Sequence, residues 1–156
     1  MFITFEGIEG SGKSSLIVKL KKYFKNSKIE TFFSKEPGGT DLGKEIRKIL
    51  LNPKSSISPE SELLLLMADR AEHVQKKIQP NLLKNKVIFC DRYIDSTLAY
   101  QGSGRNLDKK AIEELFNAFN FPVPDLTILL DVPVQVGLQR ARTVSYTHLT
   151  LPTTGI

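Results

Sequence analysis

An open α/β fold built on a parallel sheet is what this sequence predicts, and three observations predict it. Short apolar runs of strand type alternate with helix-like segments long enough to cross back over a sheet. The run Lys86-Val87-Ile88-Phe89-Cys90 is continuously apolar after its lysine, the pattern of a strand covered on both faces. A glycine-rich turn and an Asp-Arg pair each follow such a run, at the strand ends where open α/β sheets bind their ligands.

The first strand is the apolar run Phe2-Ile3-Thr4-Phe5, which breaks into Glu6-Gly7-Ile8-Glu9-Gly10-Ser11-Gly12-Lys13-Ser14. Gly7, four residues, then Gly12-Lys13-Ser14 is the Walker A spacing. Glycines keep the loop clear of side chains, so the backbone N–H groups of residues Gly7, Ile8, Glu9, Gly10, Ser11 and Gly12 can turn towards phosphate oxygens. The helix that follows aims its positive end at the same place. Lys13 would reach the β- and γ-phosphates of ATP, and the Ser14 hydroxyl would bind Mg²⁺.

A helix follows from Ser14 to Phe24, with Leu16, Ile17, Leu20 and Phe24 near helical spacing. The next strand is expected at Ile29-Glu30-Thr31-Phe32-Phe33, stopped by Glu36-Pro37-Gly38-Gly39. Leu42 to Leu51 reads as helix and ends before Pro53. Pro59 opens a longer helix to about Ile78, with Glu60 and Glu62 in its first turn as the helix dipole prefers. Its run Leu63-Leu64-Leu65-Leu66-Met67-Ala68 is apolar on several sides, which predicts burial. The third strand is Lys86 to Cys90, with Asp91 at its carboxyl end; Leu107 to Phe119 is helical, and Leu126 to Leu130 is a fourth strand.

Composition sets limits. A chain of 156 residues has one domain's length and buries about 70% of its unfolded surface. The net charge of +5 is spread along the chain, not gathered into a basic run that reads as a nucleic-acid tail, and anionic small ligands suffice to explain it. The one cysteine, Cys90, cannot form an internal disulfide and suits a reducing cytosol; it reads as a small buried hydrophobe in a strand. No apolar stretch approaches the ~20 residues that span a bilayer, and Met1-Phe2-Ile3 has no basic region of the signal-peptide kind. The expectation is a cytoplasmic protein with no nucleic-acid or membrane partner.

A second constellation is Asp91-Arg92-Tyr93-Ile94-Asp95-Ser96-Thr97-Leu98-Ala99-Tyr100-Gln101-Gly102. A carboxylate at a strand end beside a phosphate loop is placed to hold Mg²⁺ or one of its waters. The Arg92 guanidinium can grip a second phosphate in bidentate fashion; the alternative is a surface ion pair.

Five blocks together carry a resemblance: Phe5 to Ser14; Glu36-Pro37-Gly38-Gly39-Thr40; Ala68-Asp69-Arg70-Ala71-Glu72-His73; Asp91-Arg92-Tyr93 through Gly102; and Pro124-Asp125-Leu126-Thr127 through Leu130-Asp131-Val132-Pro133. In this order they resemble bacterial thymidylate kinases over Met1 to about Arg142. The resemblance implies a three-layer fold of the P-loop NTPase type and transfer of the ATP γ-phosphoryl to dTMP with Mg²⁺. It gives Lys13, Asp91 and Arg92 the catalytic positions, with Ser14 and Asp91 in the metal network and Arg92 on the dTMP phosphate. Glu9 resembles an acidic loop residue near the sugar 3′-hydroxyl. Arg70 resembles the arginine that bonds the thymine, and Thr97 and Gln101 take positions that line the base. Tyr100 would pack where a ribose 2′-hydroxyl would sit. Arg47 resembles a basic residue near the phosphate, against the alternative of a solvated helix face. Similar enzymes are typically homodimers.

Three departures stand out. Leu66 replaces an aromatic ring against the base. Gly10 stands where kinases of one type carry an arginine, which moves the transition-state cation to a lid, with Arg140 and Arg142 as candidates. Residues 143–156 contain no Arg, Lys, Asp or Glu and resemble neither a lid nor the last strand and helices. The expected organisation is an incomplete kinase domain at 1–142 and an atypical, foreign tail at 143–156. Two alternatives stay open: a nucleotide-binding fragment poor in turnover, and another phosphate-loop nucleoside monophosphate or deoxynucleoside kinase. His73, inside a helix beside Glu72, reads as a surface or packing residue.

Overall fold

The computed structural model describes residues 1–143. Residues 144–156, which make up nearly all of the segment read as a foreign tail, lie outside the described residues. Four strands, β1 (Phe2–Glu6), β2 (Thr31–Lys35), β3 (Val87–Asp91) and β4 (Leu126–Leu129), form one parallel sheet in the order β2-β3-β1-β4. The chain steps past β3 to reach β2, then past β1 to reach β4. Right-handed crossovers in opposite directions put their helices on opposite faces. Accordingly α1 (Lys13–Phe24) packs on the Ile3, Phe5 and Phe89 face. On the other face Phe2, Ile88 and Cys90 meet Leu63 and Met67 of α3 (Pro59–His73) and Ile112 and Phe116 of α6 (Lys109–Ala118).

This topology positions the site. Connections leave the carboxyl ends of the two central strands in opposite directions, which opens a crevice between them. The register pairs Phe5 with Asp91, so the loops after β1 and β3 begin side by side. Arg92 N–H donates to Phe5 O at 3.0 Å, carrying the ladder one residue beyond β3.

Elsewhere the sequence reading is adjusted by local chemistry. The second strand lies two residues later than expected: Ile29 is exposed, and Thr31 to Lys35 pair in register with Val87 to Asp91. α2 (Asp41–Leu51) is capped by Thr40, whose hydroxyl accepts from Gly43 N–H. The long helix is not one α-helix to Ile78. α3 stops at His73, a π-helical turn spans Val74–Ile78, and α4 (Gln79–Leu83) continues through Pro80. Proline cannot donate and its ring crowds the preceding turn, and the wider π turn lets the helix run on. α3 is also not buried all round: Leu63 and Met67 face the core, while Leu64 is 59% exposed. After α5 (Ile94–Thr97) a second π-helical stretch, Leu98–Gly104, carries Tyr100 and Gln101. β4 is an edge of the sheet among the described residues, with Leu126 and Leu129 exposed. α7 (Val134–Thr143) follows it.

Candidate active site

The loop after β1 takes backbone shapes that only glycine adopts cheaply. Gly7 has φ 142° and Gly10 φ 74°, where a Cβ would crowd the main chain. At Gly7 that Cβ would lie 2.6 Å from Leu130 O. The Lys13 ammonium is folded over the loop, donating to Gly7 O at 2.6 Å and Ile8 O at 3.0 Å. Its pKa falls to about 8, chiefly from burial and then from the nearby Arg92, against the pull of Asp91, Glu6 and Glu9. A buried cation held down in this way is poised to gain from an incoming phosphate. Ser14 is exposed in the first turn of α1.

Asp91 ends β3 with Oδ1 buried and without a hydrogen-bond partner among the described residues. Arg92 follows with φ 72°, a left-handed shape rare for a side chain of this size. Its guanidinium lies over the Tyr100 ring at 5.3 Å, and NH1 donates to Ser96 Oγ at 3.3 Å and Tyr100 OH at 3.4 Å. Glu6 holds this turn in place. Its buried carboxylate accepts from Tyr93 N–H at 2.8 Å and from the Ser96 hydroxyl, and burial raises its pKa.

Arg47 is half-buried with NH1 donating to Pro37 O at 3.0 Å, not on a solvated helix face. Burial and the charge of Arg92 lower its pKa, while Asp91, Asp69 and Glu9 oppose them. Arg92 is thus close enough to both Lys13 and Arg47 to disfavour their charge, with Glu9 in range of the same two residues. Such a concentration of positive charge suits polyphosphate and monophosphate anions.

A buried polar chain lines the other side. Arg70 Nε donates to Glu36 Oε2 at 2.8 Å, its NH2 to Thr97 Oγ1 at 3.1 Å, and its guanidinium lies 4.8 Å from the Tyr93 ring centre. His73 is fully buried, with Nδ1 2.8 Å from Glu36 Oε1 and Nε2 against Ser34 Oγ. It is a member of this network, not a surface residue. Asp69 Oδ1 accepts Gly38 N–H at 2.9 Å, and burial lifts its pKa to about 6. Gln101 Nε2 donates to Glu62 Oε1 at 2.7 Å, and Arg105 pairs with Glu62 Oε2 at 2.9 Å.

The structure therefore brings together Gly7 to Ser14, Arg47, Asp91, Arg92 and Tyr100 on one side and Arg70, Thr97 and Gln101 on the other. Arg140 and Arg142 lie apart, both exposed on α7. Only Arg140 approaches the loop: a Cβ on Gly10 would sit 3.1 Å from Arg140 Cβ and 2.1 Å from Gly137 O. The sequence reading missed Glu6, Glu36, Glu62, Asp69 and Arg105. For Glu6, Glu62 and Asp69 the signal was charge at core-facing positions of β1 and α3, which single-sequence periodicity treats as surface; Glu36 and Arg105 follow β2 and the second π-helical stretch, where periodicity gives no signal.

A family model described as thymidylate kinase matches residues 5–148. A thymidylate kinase of Carboxydothermus hydrogenoformans is 50% identical over 143 residues, covering 90% of this chain and 70% of its own. One from the Wolbachia of Brugia malayi is 51% identical over 143 residues, covering 90% of this chain and 69% of its own. The crystal structure of thymidylate kinase from Ehrlichia chaffeensis superposes with a TM-score of 0.76 at 39% identity, over 92% of this chain and 82% of that one.

Proposed function

This chain belongs to the thymidylate kinase family, and we propose that its site transfers the γ-phosphoryl of ATP to the phosphate of dTMP, giving dTDP and ADP. The observation that supports this most directly is the convergence of Lys13, Asp91 and Arg92 where β1 and β3 end side by side. Phosphoryl transfer needs little covalent help from protein; it needs two phosphates held in line and their charge neutralised. The loop from Gly7 to Ser14 holds the ATP phosphates, with Lys13 on the β- and γ-oxygens. Arg92, supported by Arg47, grips the dTMP phosphate. Glu9 meets the sugar, Tyr100 closes the space beside its 2′-carbon, and Arg70, Thr97 and Gln101 take the base.

The cofactor in this reading is Mg²⁺. Asp91 offers a buried, acceptor-only oxygen without a hydrogen-bond partner among the described residues, and the Ser14 hydroxyl is open to solvent in the first turn of α1; both suit a hard cation that keeps most of its waters. Bound there, Mg²⁺ neutralises charge on the phosphates. Of the two lid arginines, Arg140 is the one beside the loop, and we assign it the cationic support of the transferring group. We also read the chain as cytoplasmic and homodimeric: no helix among the described residues is long and apolar enough to cross a membrane, and α3 carries an exposed leucine, Leu64, on its outer side.

Transfer of labelled γ-phosphate from Mg·ATP to dTMP tests the reading, with Lys13→Ala as the control. Transfer lost with Lys13→Ala supports it. Binding of dTMP without transfer would make the chain a nucleotide-binding fragment, and transfer only to another nucleoside monophosphate would reassign the acceptor.

A further inference from the structure

Resting on that reading of the base side, we propose that Glu62 is the residue that fixes this site for a pyrimidine with an N3–H group, by locking the orientation of the Gln101 side-chain amide. A glutamine amide has a donor face and an acceptor face, and either can be turned to a ligand. Here the choice is made by Glu62. A carboxylate only accepts, so the Gln101 NH2 group must face it, and Nε2 lies 2.7 Å from Glu62 Oε1. Glu62 cannot turn away, because Arg105 NH2 holds its second oxygen at 2.9 Å and Arg105 Nε donates to the first at 3.3 Å. Both Glu62 and Gln101 are buried. Nε2 keeps one further N–H, and Oε1, turned away from Glu62, is the acceptor that Gln101 has to present.

The neighbouring guanidinium supplies the complementary half. Arg70 uses Nε on Glu36 and NH2 on Thr97, and among the described residues its NH1 has only the Met67 thioether, at 4.0 Å. Arg70 is a donor throughout, and Thr97 and Gln101 lie one helical turn apart. The wall therefore sets a fixed donor, Arg70, beside an acceptor, Gln101 Oε1. Thymine and uracil answer with O4, an acceptor, beside N3–H, a donor; cytosine carries an N4 donor beside an N3 acceptor. The two patterns are opposite, and cytosine leaves two buried groups unmatched. Glu62 touches no base in this scheme. It is a positioning residue acting through Gln101.

The test is binding of dTMP, dCMP and N3-methyl-dTMP by calorimetry, to the wild-type chain and to Glu62→Gln. The amide introduced by Glu62→Gln can donate or accept, which frees Gln101 to turn. The wild type should prefer dTMP over both analogues, and Glu62→Gln should reduce each preference at least about tenfold. It should also leave binding of ATP unchanged, an outcome that general damage to the fold would not give. Arg105→Gln, at a side chain 30% exposed, loosens Glu62 without removing it and should shift the preferences in the same direction by less. If Glu62→Gln folds and keeps the wild-type preferences, the proposal is wrong; if it does not fold, unchanged preferences in Arg105→Gln overturn it. A wild-type chain that does not bind dTMP at all overturns the reading of the site itself, and this inference with it.

Discussion

Arg92 carries both backbone strain and the acceptor phosphate in this reading, and replacing it twice separates the two. In the left-handed region a Cβ costs about 1–2 kcal/mol, and the Arg92 φ of 72° lies in that region. Glycine avoids this cost but gives back about 0.5–1 kcal/mol through its freer unfolded chain. Arg92→Ala and Arg92→Gly lose the same stacking on Tyr100 and the same bonds to Ser96 and Tyr100. The difference between them is therefore the backbone alone, centred on about 0.75 kcal/mol in favour of glycine, or roughly 2 °C in Tm for a chain of this length. Both remove the charge-assisted grip on phosphate, which should weaken dTMP binding about a hundredfold or more. Calorimetric unfolding reads the first effect and titration with dTMP the second. An alanine variant as stable as the glycine variant would show that the turn is not strained by a side chain. A glycine variant that binds dTMP like the wild type would remove Arg92 from the phosphate site.

Three further outcomes are expected. Asp69, lifted to about 6 from an ordinary 3.8, contributes stability that is fully present below pH 3.8 and lost as pH rises through 6, up to about 3 kcal/mol; urea midpoints should show Asp69→Asn flattening that decline, while keeping its acceptor for Gly38. Lys13, lowered to about 8, loses its charge in the unliganded chain above that pH, so ATP affinity should fall above pH 8 and binding there should take up a proton, read by calorimetry in buffers of different ionisation heat. Gly10→Ala places a Cβ 2.1 Å from Gly137 O at φ 74°, and should cost about 1–3 kcal/mol of stability and weaken the protection of α7 amides from hydrogen exchange.

What the sequence made legible follows from which signals are local. The phosphate loop depends on glycines at fixed spacing, and Gly7 to Ser14 stand where that spacing put them. Strand β3 was visible because a run buried on both faces has few polar residues. Strand β2 was misplaced by two residues because Ile29 looks like a strand residue, whereas pairing with β3 decides the boundary, and pairing is not local. The π turn at Val74–Ile78 was hidden for the opposite reason: Pro80 marks a disturbance without saying how the chain absorbs it. On the site side, the placement of Lys13, Asp91 and Arg92 at neighbouring strand ends was readable from motif and strand pattern. Glu62 was read as a first-turn residue favoured by the helix dipole, and its burial against Gln101 and Arg105 depends on a segment about forty positions away that periodicity does not reach.

The contact between Gly10 and Gly137 ties two parts of the molecule that chemistry would treat separately. Neither residue has a side chain, so the main chain of the phosphate loop rests on the main chain of α7, and any Cβ at either place would collide with backbone. Side chains give way when pushed; backbone against backbone passes the push on. A nucleotide that draws residues 8–10 about its phosphates must carry the helix with it or pin it, and Arg140 travels on that helix. In the proposed reading, arrival of the donor and delivery of the cation are then one mechanical event, and amide exchange in residues 138–142 should slow when ATP fills the loop.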